Sequence, residues 1–307
     1  MKITKEIKAS EEEIESLEMH SVVNIISVIS SQLQLVQMES DYPELLDAAI
    51  DRAMAFADAS HSKDKTVFNL NSLNEFEDLV NRSLDELSEK QPALKDGSKV
   101  SEYSNILESV FEIFEVRLKE IVQRWEHPNA WVPFSVDNFV DDFKEFFYAM
   151  EKNSQGRYKI IYNIAEQEEK DYLVNFAINS EGDDTIYLPL ILKDVIRDLI
   201  ANARKYTPPG GDITIGISQK DGVFKFVVED TGHGIPKDEI GKVVDYGYRA
   251  SNVKDMVRTM GGGFGLTKAY HVIDQLGGEM WIDSEVDTGT KITVKIPIPE
   301  NVGSELT

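Results

Sequence analysis

Asp198, Asn202 and Lys205 fall at steps of four and three within a single stretch, residues 188–206. On a helix that spacing lines up an acid, an amide oxygen and an ammonium on one face. Such a set suits a magnesium-bound phosphate, because Mg²⁺ is a hard cation that shares its oxygen shell with substrate phosphates. Leu192, Val195, Leu199, Ala203 and Tyr206 supply a separate packing face. Taken alone, the polar stripe also reads as a solvated helix face. Farther along, Asp230 closes an apolar run and is followed by Gly232 and Gly234. This places a carboxylate on a pocket floor with little bulk around it, able to accept a hydrogen bond from an exocyclic amine such as adenine's. A plain turn is the simpler reading of that motif. Gly261, Gly262, Gly263 and Gly265 lead into a helix expected over residues 265–276, where exposed amides and the helix N-terminus favour anions. Before them, residues 242–260 carry Lys242, Arg249, Lys254 and Arg258 against Asp245 and Asp255, a local positive balance suited to a cover over phosphates. His20 is the histidine that stands out by position. It lies off the apolar seam of its helix, in line with Ser16, Asn24, Ser27 and Ser31, where an imidazole can act as a nucleophile.

The elements that must position these groups fall into two halves. Up to about residue 152 the periodicity is helical. Val22, Ile26, Ile29, Leu33 and Val36 alternate steps of four and three, the seam of a coiled coil or four-helix bundle. A second stripe, Ile25, Val28 and Leu35, runs beside it and implies cover from a further helix. Shorter helices are expected after Pro43 and after a capping-box pattern at Ser72 and Glu75. A long helix follows over residues 103–125, and another carries Phe139, Phe143, Phe147 and Met150. Beyond Gly156 strands dominate: residues 157–164, 172–178, 212–218, 223–228, 280–283 and 290–298, with Asp221 and Gly222 as a hairpin turn. Helices fit residues 188–206 and 265–276. The fold class is α+β: an N-terminal helical bundle of the dimerisation or phosphotransfer kind over residues 1–130, then an α/β sandwich over 131–307.

Composition sets the outer bounds. The 307 residues contain no cysteine, which excludes a disulfide scaffold, a thiolate zinc site and a cysteine nucleophile. With 32 basic and 55 acidic residues the net charge is −23, which disfavours binding to nucleic acid or to anionic membrane. Residues 19–38 form an uncharged stretch of membrane length, but His20, four serines, Asn24 and three glutamines make it a buried bundle helix, not a membrane span. The opening residues lack the apolar run of a signal peptide, so a cytoplasmic location is expected.

Four of these motifs, in order, resemble the ATP-binding domain of the GHKL superfamily, particularly that of bacterial sensor histidine kinases. Asp198 to Thr207 resembles the N box, Asp230 to Gly234 the G1 box, Gly261 to Leu266 the G2 box, and Asp287 to Thr290 the final glycine–threonine turn. The resemblance implies ATP and Mg²⁺ as cofactors. Asn202 would be the metal ligand, Lys205 would steady phosphate, Tyr206 would lie near the nucleotide and Asp230 would read the adenine amine. Gly232 and Gly234 would leave room for the base, and Gly261, Gly263 and Gly265, with Leu266 in the same box and Thr290 in the last turn, would complete the pocket. Tyr246, Tyr248 and Arg249 resemble the aromatic–basic segment beside the ATP lid. His20 with Asn24 resembles the H box, which implies a homodimeric protein histidine kinase passing phosphate to a response-regulator receiver domain.

Two departures keep other readings open. An acidic residue usually follows the phosphoaccepting histidine, and here Ser21 stands there. Kinases usually carry Asn at the position of Asp198, whereas the ATPase branches place a carboxylate there to activate water. The alternatives are therefore a GHKL-type ATPase using Asp198, or a non-catalytic dimeric adaptor or phosphatase that docks a regulator. The helix pairing with that of His20 is either the one over residues 103–125 or the one after Pro43.

Overall fold

The computed structural model describes residues 1–5, 11–59, 72–92, 99–126, 130–154, 156–180, 184–254, 263–300 and 302. The chain divides into two compact units, Ser10–Pro128 and Met1–Ala9 with Asn129–Thr307. Among the described residues no helix is long and apolar enough to cross a membrane.

The first unit is helical. It contains α1 (Glu11–Glu39), a 3₁₀ turn (Pro43–Leu46) running into α2 (Asp47–Ala59), α3 (Leu73–Lys90) and α4 (Lys99–Glu126). The seam Val22, Ile26, Ile29, Leu33 and Val36 is buried throughout, because α1 packs on both α2 and α4. Both helices considered as partners of the His20 helix therefore lie against it. Phe56 of α2, Phe76 of α3 and Phe111 and Phe114 of α4 interlock, with ring centroids 4.9 to 6.1 Å apart. Offset and edge-to-face rings of this kind add to the stabilisation from area burial. The second stripe on α1 behaves otherwise. Val28 and Leu35 are 44% and 46% exposed, so no element among the described residues of the unit covers them. Ser72 sits at the N-cap of α3, but its side chain makes no capping hydrogen bond, so the capping-box pattern does not operate as such.

The second unit is a mixed sheet with helices. Its strands are β1 (Trp131–Ser135), β2 (Ile160–Ile161), β3 (Tyr172–Ser180), β4 (Thr185–Pro189), β5 (Asp212–Lys220), β6 (Val223–Asp230), β7 (Glu279–Glu285) and β8 (Gly289–Pro297). Helices α5 (Val136–Asn153), α6 (Leu190–Tyr206) and α7 (Gly265–Gln275) lie between them. The main sheet runs β2-β3-β5-β6-β8-β7, parallel across its first three strands and antiparallel across the rest. Alternate residues are buried along the central antiparallel strands: Ile213, Ile215 and Ile217 on β5, Phe224, Phe226 and Val228 on β6, Ile292, Val294 and Ile296 on β8. The period of two means that one face meets the core while the other carries pairs such as Lys291 Nζ to Glu229 Oε2 at 2.8 Å. Asp221 and Gly222 have φ of 52° and 71°, the twin left-handed conformations of a tight hairpin turn joining β5 to β6.

Two local expectations are corrected. Residues 157–164 contain only the short β2, and Ile164–Glu166 turns as a 3₁₀ helix with Asn163 Oδ1 accepting from Ala165 N. Helix α6 starts at Leu190, because residues 185–189 form β4, paired antiparallel with β1 from Trp131–Pro189 to Ser135–Thr185. Pro189 is extended, with φ −70° and ψ 143°, and closes the strand as the helix N-cap. Residues 1–5 also join the sheet side of the molecule. Ile3 N donates to Met280 O and Ile282 N to Met1 O, each at 2.9 Å, so the segment lies along β7 with Ile3 buried in the core.

Replacing Phe114 with alanine removes a ring from the centre of the helical aromatic cluster. The expected cost is about 3–5 kcal/mol of stability, read by urea denaturation of the full chain. A loss below about 1 kcal/mol would mean that the cluster does not hold the unit together.

Candidate functional site

Helix α6 supplies one wall of the site. Its buried face includes Leu192, Val195, Ile196, Leu199, Ile200 and Ala203. That burial fixes the rotation of the helix and turns Asp198, Asn202 and Lys205 toward a common side. The helix stops at Thr207, whose Oγ1 donates to Ala203 O at 2.7 Å, and Tyr172 Oη donates to Thr207 O at 3.0 Å. Ion pairs tie α6 to its neighbours: Lys193 with Asp142 of α5, and Asp198 Oδ2 with Lys268 Nζ of α7 at 3.0 Å.

The start of α7 lies against Asn202. A Cβ added to Gly265 would stand 3.1 Å from Asn202 Nδ2 and 3.8 Å from its Oδ1, so any larger residue would push the carboxamide away. The first amides of a helix have no intrahelical acceptor and carry the positive end of its dipole. An oxygen-bearing side chain and an anion-favouring helix end are thus adjacent. Leu266 packs on the core of the unit, which anchors that turn. Gly263 has φ of 81° and backs onto the carbonyl of Tyr248, and the Phe264 ring lies tilted against that of Tyr246, with centroids 4.6 Å apart. Gly261, Gly262 and Arg258 lie outside the described residues.

The floor is built from β6, the loop after it and the β7–β8 turn. Asp230 ends β6 opposite Thr290 of β8. Gly232 N donates to Asp230 Oδ1 at 2.9 Å. Burial pushes the Asp230 carboxyl up to about 6, although hydrogen bonds from the Gly232 and Thr290 amides pull the other way. Glycines 232 and 234 are required by backbone packing. A Cβ on Gly232 would meet Tyr206 O at 2.4 Å, and one on Gly234 (φ 64°) would meet Glu285 O at 1.9 Å. His233 N donates to Tyr206 O at 3.1 Å, and Asp287 N donates to His233 O at 3.0 Å. The loop is therefore stitched to the end of α6 on one side and to the β7–β8 turn on the other.

Cations collect beside this floor. The Lys205 ammonium is lowered from its ordinary value by burial and by the charges of Arg249 and Arg204. Its Nζ lies 5.4 Å from the centroid of the Tyr206 ring. Burial raises the Tyr206 hydroxyl, opposed by the charge of Arg249. Lys205, Tyr206 and Arg249 are thus brought together, and a phosphate would relieve the mutual repulsion of the cations.

Three residues of the site were missed by sequence reasoning. Ser284 Oγ accepts from Ile235 N at 2.8 Å, donates to Gly289 O at 2.8 Å and lies 2.9 Å from Thr290 Oγ1, which joins the two glycine turns. Asn252 Nδ2 donates to His233 O and Gly234 O at 3.1 and 3.0 Å. Lys268 is the partner of Asp198. None carried a local signal, since each has a partner at least 18 residues away in sequence. His20, Ser21 and Asn24 fall within α1, but their side chains lie outside the described structure.

Residues 188–300 match the family described as histidine kinase-, DNA gyrase B- and HSP90-like ATPase. The chain is 37% identical over 112 residues to the sensor histidine kinase WalK of Bacillus subtilis (strain 168), covering 36% of this chain and 18% of that one. It is 35% identical over 107 residues to the histidine protein kinase DivJ of Caulobacter vibrioides, covering 35% and 18%. It thus spans under a fifth of the length of either relative. Among solved structures, a mycobacterial sensor histidine kinase, MprB, aligns at 22% identity and a TM-score of 0.38, over 54% of this chain and 97% of that one. The matched segment is a GHKL-superfamily ATPase domain of the histidine-kinase-like type.

Holding Asp230 ionised in a buried place opposes folding. Its carboxyl titrates near 4 when unfolded and near 6 when folded, so the folded state holds the proton more tightly between those values. The cost is absent below about pH 4, grows through the window from 4 to 6 and is complete above it. Asp230→Asn should therefore be more stable than the parent at pH 8 by on the order of 1–3 kcal/mol, with the difference vanishing toward pH 4. Urea denaturation at the two pH values checks this. Lower stability of the variant at pH 8 would refute it.

Proposed function

We propose that the chain is a histidine-kinase-type phosphotransferase that binds Mg-ATP within residues 157–298 and transfers its γ-phosphoryl group to His20, and from there to an aspartate of a response-regulator receiver domain. The observation that carries this reading is the meeting of Asn202 with Gly265, with Lys205 one helical turn along α6 and Arg249 near enough for its charge to lower the Lys205 ammonium. Asn202 would hold the metal through its side-chain oxygen, the donor type Mg²⁺ prefers. Lys205, Arg249 and the amides of Gly263 and Gly265 would take phosphate charge. Asp230, held by the Gly232 and Thr290 amides, would accept from the adenine amine, and Tyr206 would line the same floor. When bound, Mg-ATP supplies the phosphoryl group. The protein contributes positioning and fixed positive charge.

Homodimerisation through the helical unit belongs to the same proposal. The exposed Val28 and Leu35 on α1 and Ile113 and Val116 on α4 support it. The ATPase reading, in which Asp198 activates water, is disfavoured by its engagement with Lys268, which holds the carboxylate as an ion-pair acceptor.

Incubation with γ-labelled ATP and Mg²⁺ should give a base-stable, acid-labile label on the parent chain and none on His20→Ala. Label retained by His20→Ala would remove His20 from the mechanism. Phosphate release that persists in His20→Ala but is lost in Asp198→Asn would favour the ATPase instead.

A further inference from the structure

Lys268 is the fourth residue of α7 and only 7% exposed, among the few buried charged residues of the unit. A buried ammonium needs a counter-charge, and Asp198 of α6 provides it at 3.0 Å. One turn along α6 from Asp198 stands Asn202, and one turn back along α7 from Lys268 stands Gly265, which abuts Asn202. The two helices therefore meet at two successive rungs on the same side. Burial of Ala269, Tyr270, Val272 and Ile273 seats α7 in the core, and the two rungs add a polar contact that sets how closely its first turn approaches Asn202.

Resting on the ATP-binding reading above, we propose that Asp198 and Lys268 form a positioning pair that holds the first turn of α7 against Asn202. The pair sets the spacing between the metal-ligand oxygen and the helix amides, and it touches neither base nor phosphate. Affinity gained from Mg²⁺ therefore depends on the pair, while affinity from the adenine end, at Asp230 and Tyr206, does not.

Charge alone and positioning predict opposite signs for one variant. Asp198→Asn leaves the Lys268 charge unopposed near the phosphates, so a purely electrostatic role would tighten Mg-ADP binding. Lys268→Met leaves the opposite charge and would weaken it. Positioning requires both variants to weaken. Calorimetry of the full chain with ADP, with and without Mg²⁺, is expected to show the Mg²⁺-dependent gain reduced about tenfold in both, with Mg-free affinity within about twofold of the parent. Lys268→Arg, which keeps the ion pair, should restore most of the gain. Amide hydrogen exchange at residues 268–271, the first of which donates to Phe264 O, should quicken about tenfold in the nucleotide-free Lys268→Met chain and stay near the parent rate in Lys268→Arg. Tighter Mg-ADP binding by Asp198→Asn, or parent-like exchange in Lys268→Met, would overturn the proposal. If the parent chain binds no ADP, the ATP-binding reading fails and the positioning claim toward nucleotide falls with it. The exchange rates then report separately whether the pair pins α7.

Discussion

The site depends on backbone approaching backbone more closely than a side chain would allow. A Cβ on Gly289 would lie 1.9 Å from the carbonyl oxygen of Asp230, and one on Gly234 the same distance from that of Glu285. Both glycines sit at positive φ, 135° and 64°, where other residues are strained even with space to spare. These contacts press the turn after β6 onto the β7–β8 turn, and Ser284 and Asp287 hydrogen-bond across the seam. Asp230 is fixed at the junction, and its burial follows from that fit. The raised carboxyl is thus a consequence of packing that a nucleotide pocket can use.

Electrostatics adds a second layer. The chain carries a net charge of −23, yet Lys205, Arg204 and Arg249 are close enough for their charges to perturb one another. Several other cations among the described residues of the unit are matched: Lys193 with Asp142, Lys268 with Asp198, Lys291 with Glu229. An acidic chain with a local cluster of cations repels polyanions in general while admitting a small anion.

Much of this was legible in the sequence. The α1 seam, the hairpin at Asp221 and Gly222, and the polar stripe of α6 all follow from periodicity or turn chemistry that acts within a few residues. What escaped required partners far along the chain. Residues 188 and 189 read as the head of a helix until β1 is available to pair with the strand they close, and residues 1–5 have no pattern of their own without the β7 edge. Val28 and Leu35 looked like core positions because a hydrophobic stripe does not say whether its cover comes from the same chain. Lys268 looked like any helical lysine, since its partner lies 70 residues away. Glycines 232 and 234 were legible as glycines, but their contacts with Tyr206 and Glu285 were not.

The convergence of these turns on one nucleotide can be tested by titrating the isotope-labelled chain with Mg-ADP and following its amide resonances. Convergence predicts that the backbone amides of Gly232, Gly263, Gly265 and Thr290 and the side-chain amide of Asn202 shift together, along one saturation curve. Shifts confined to other surfaces, or separate curves for the β6 turn and the start of α7, would contradict a shared site.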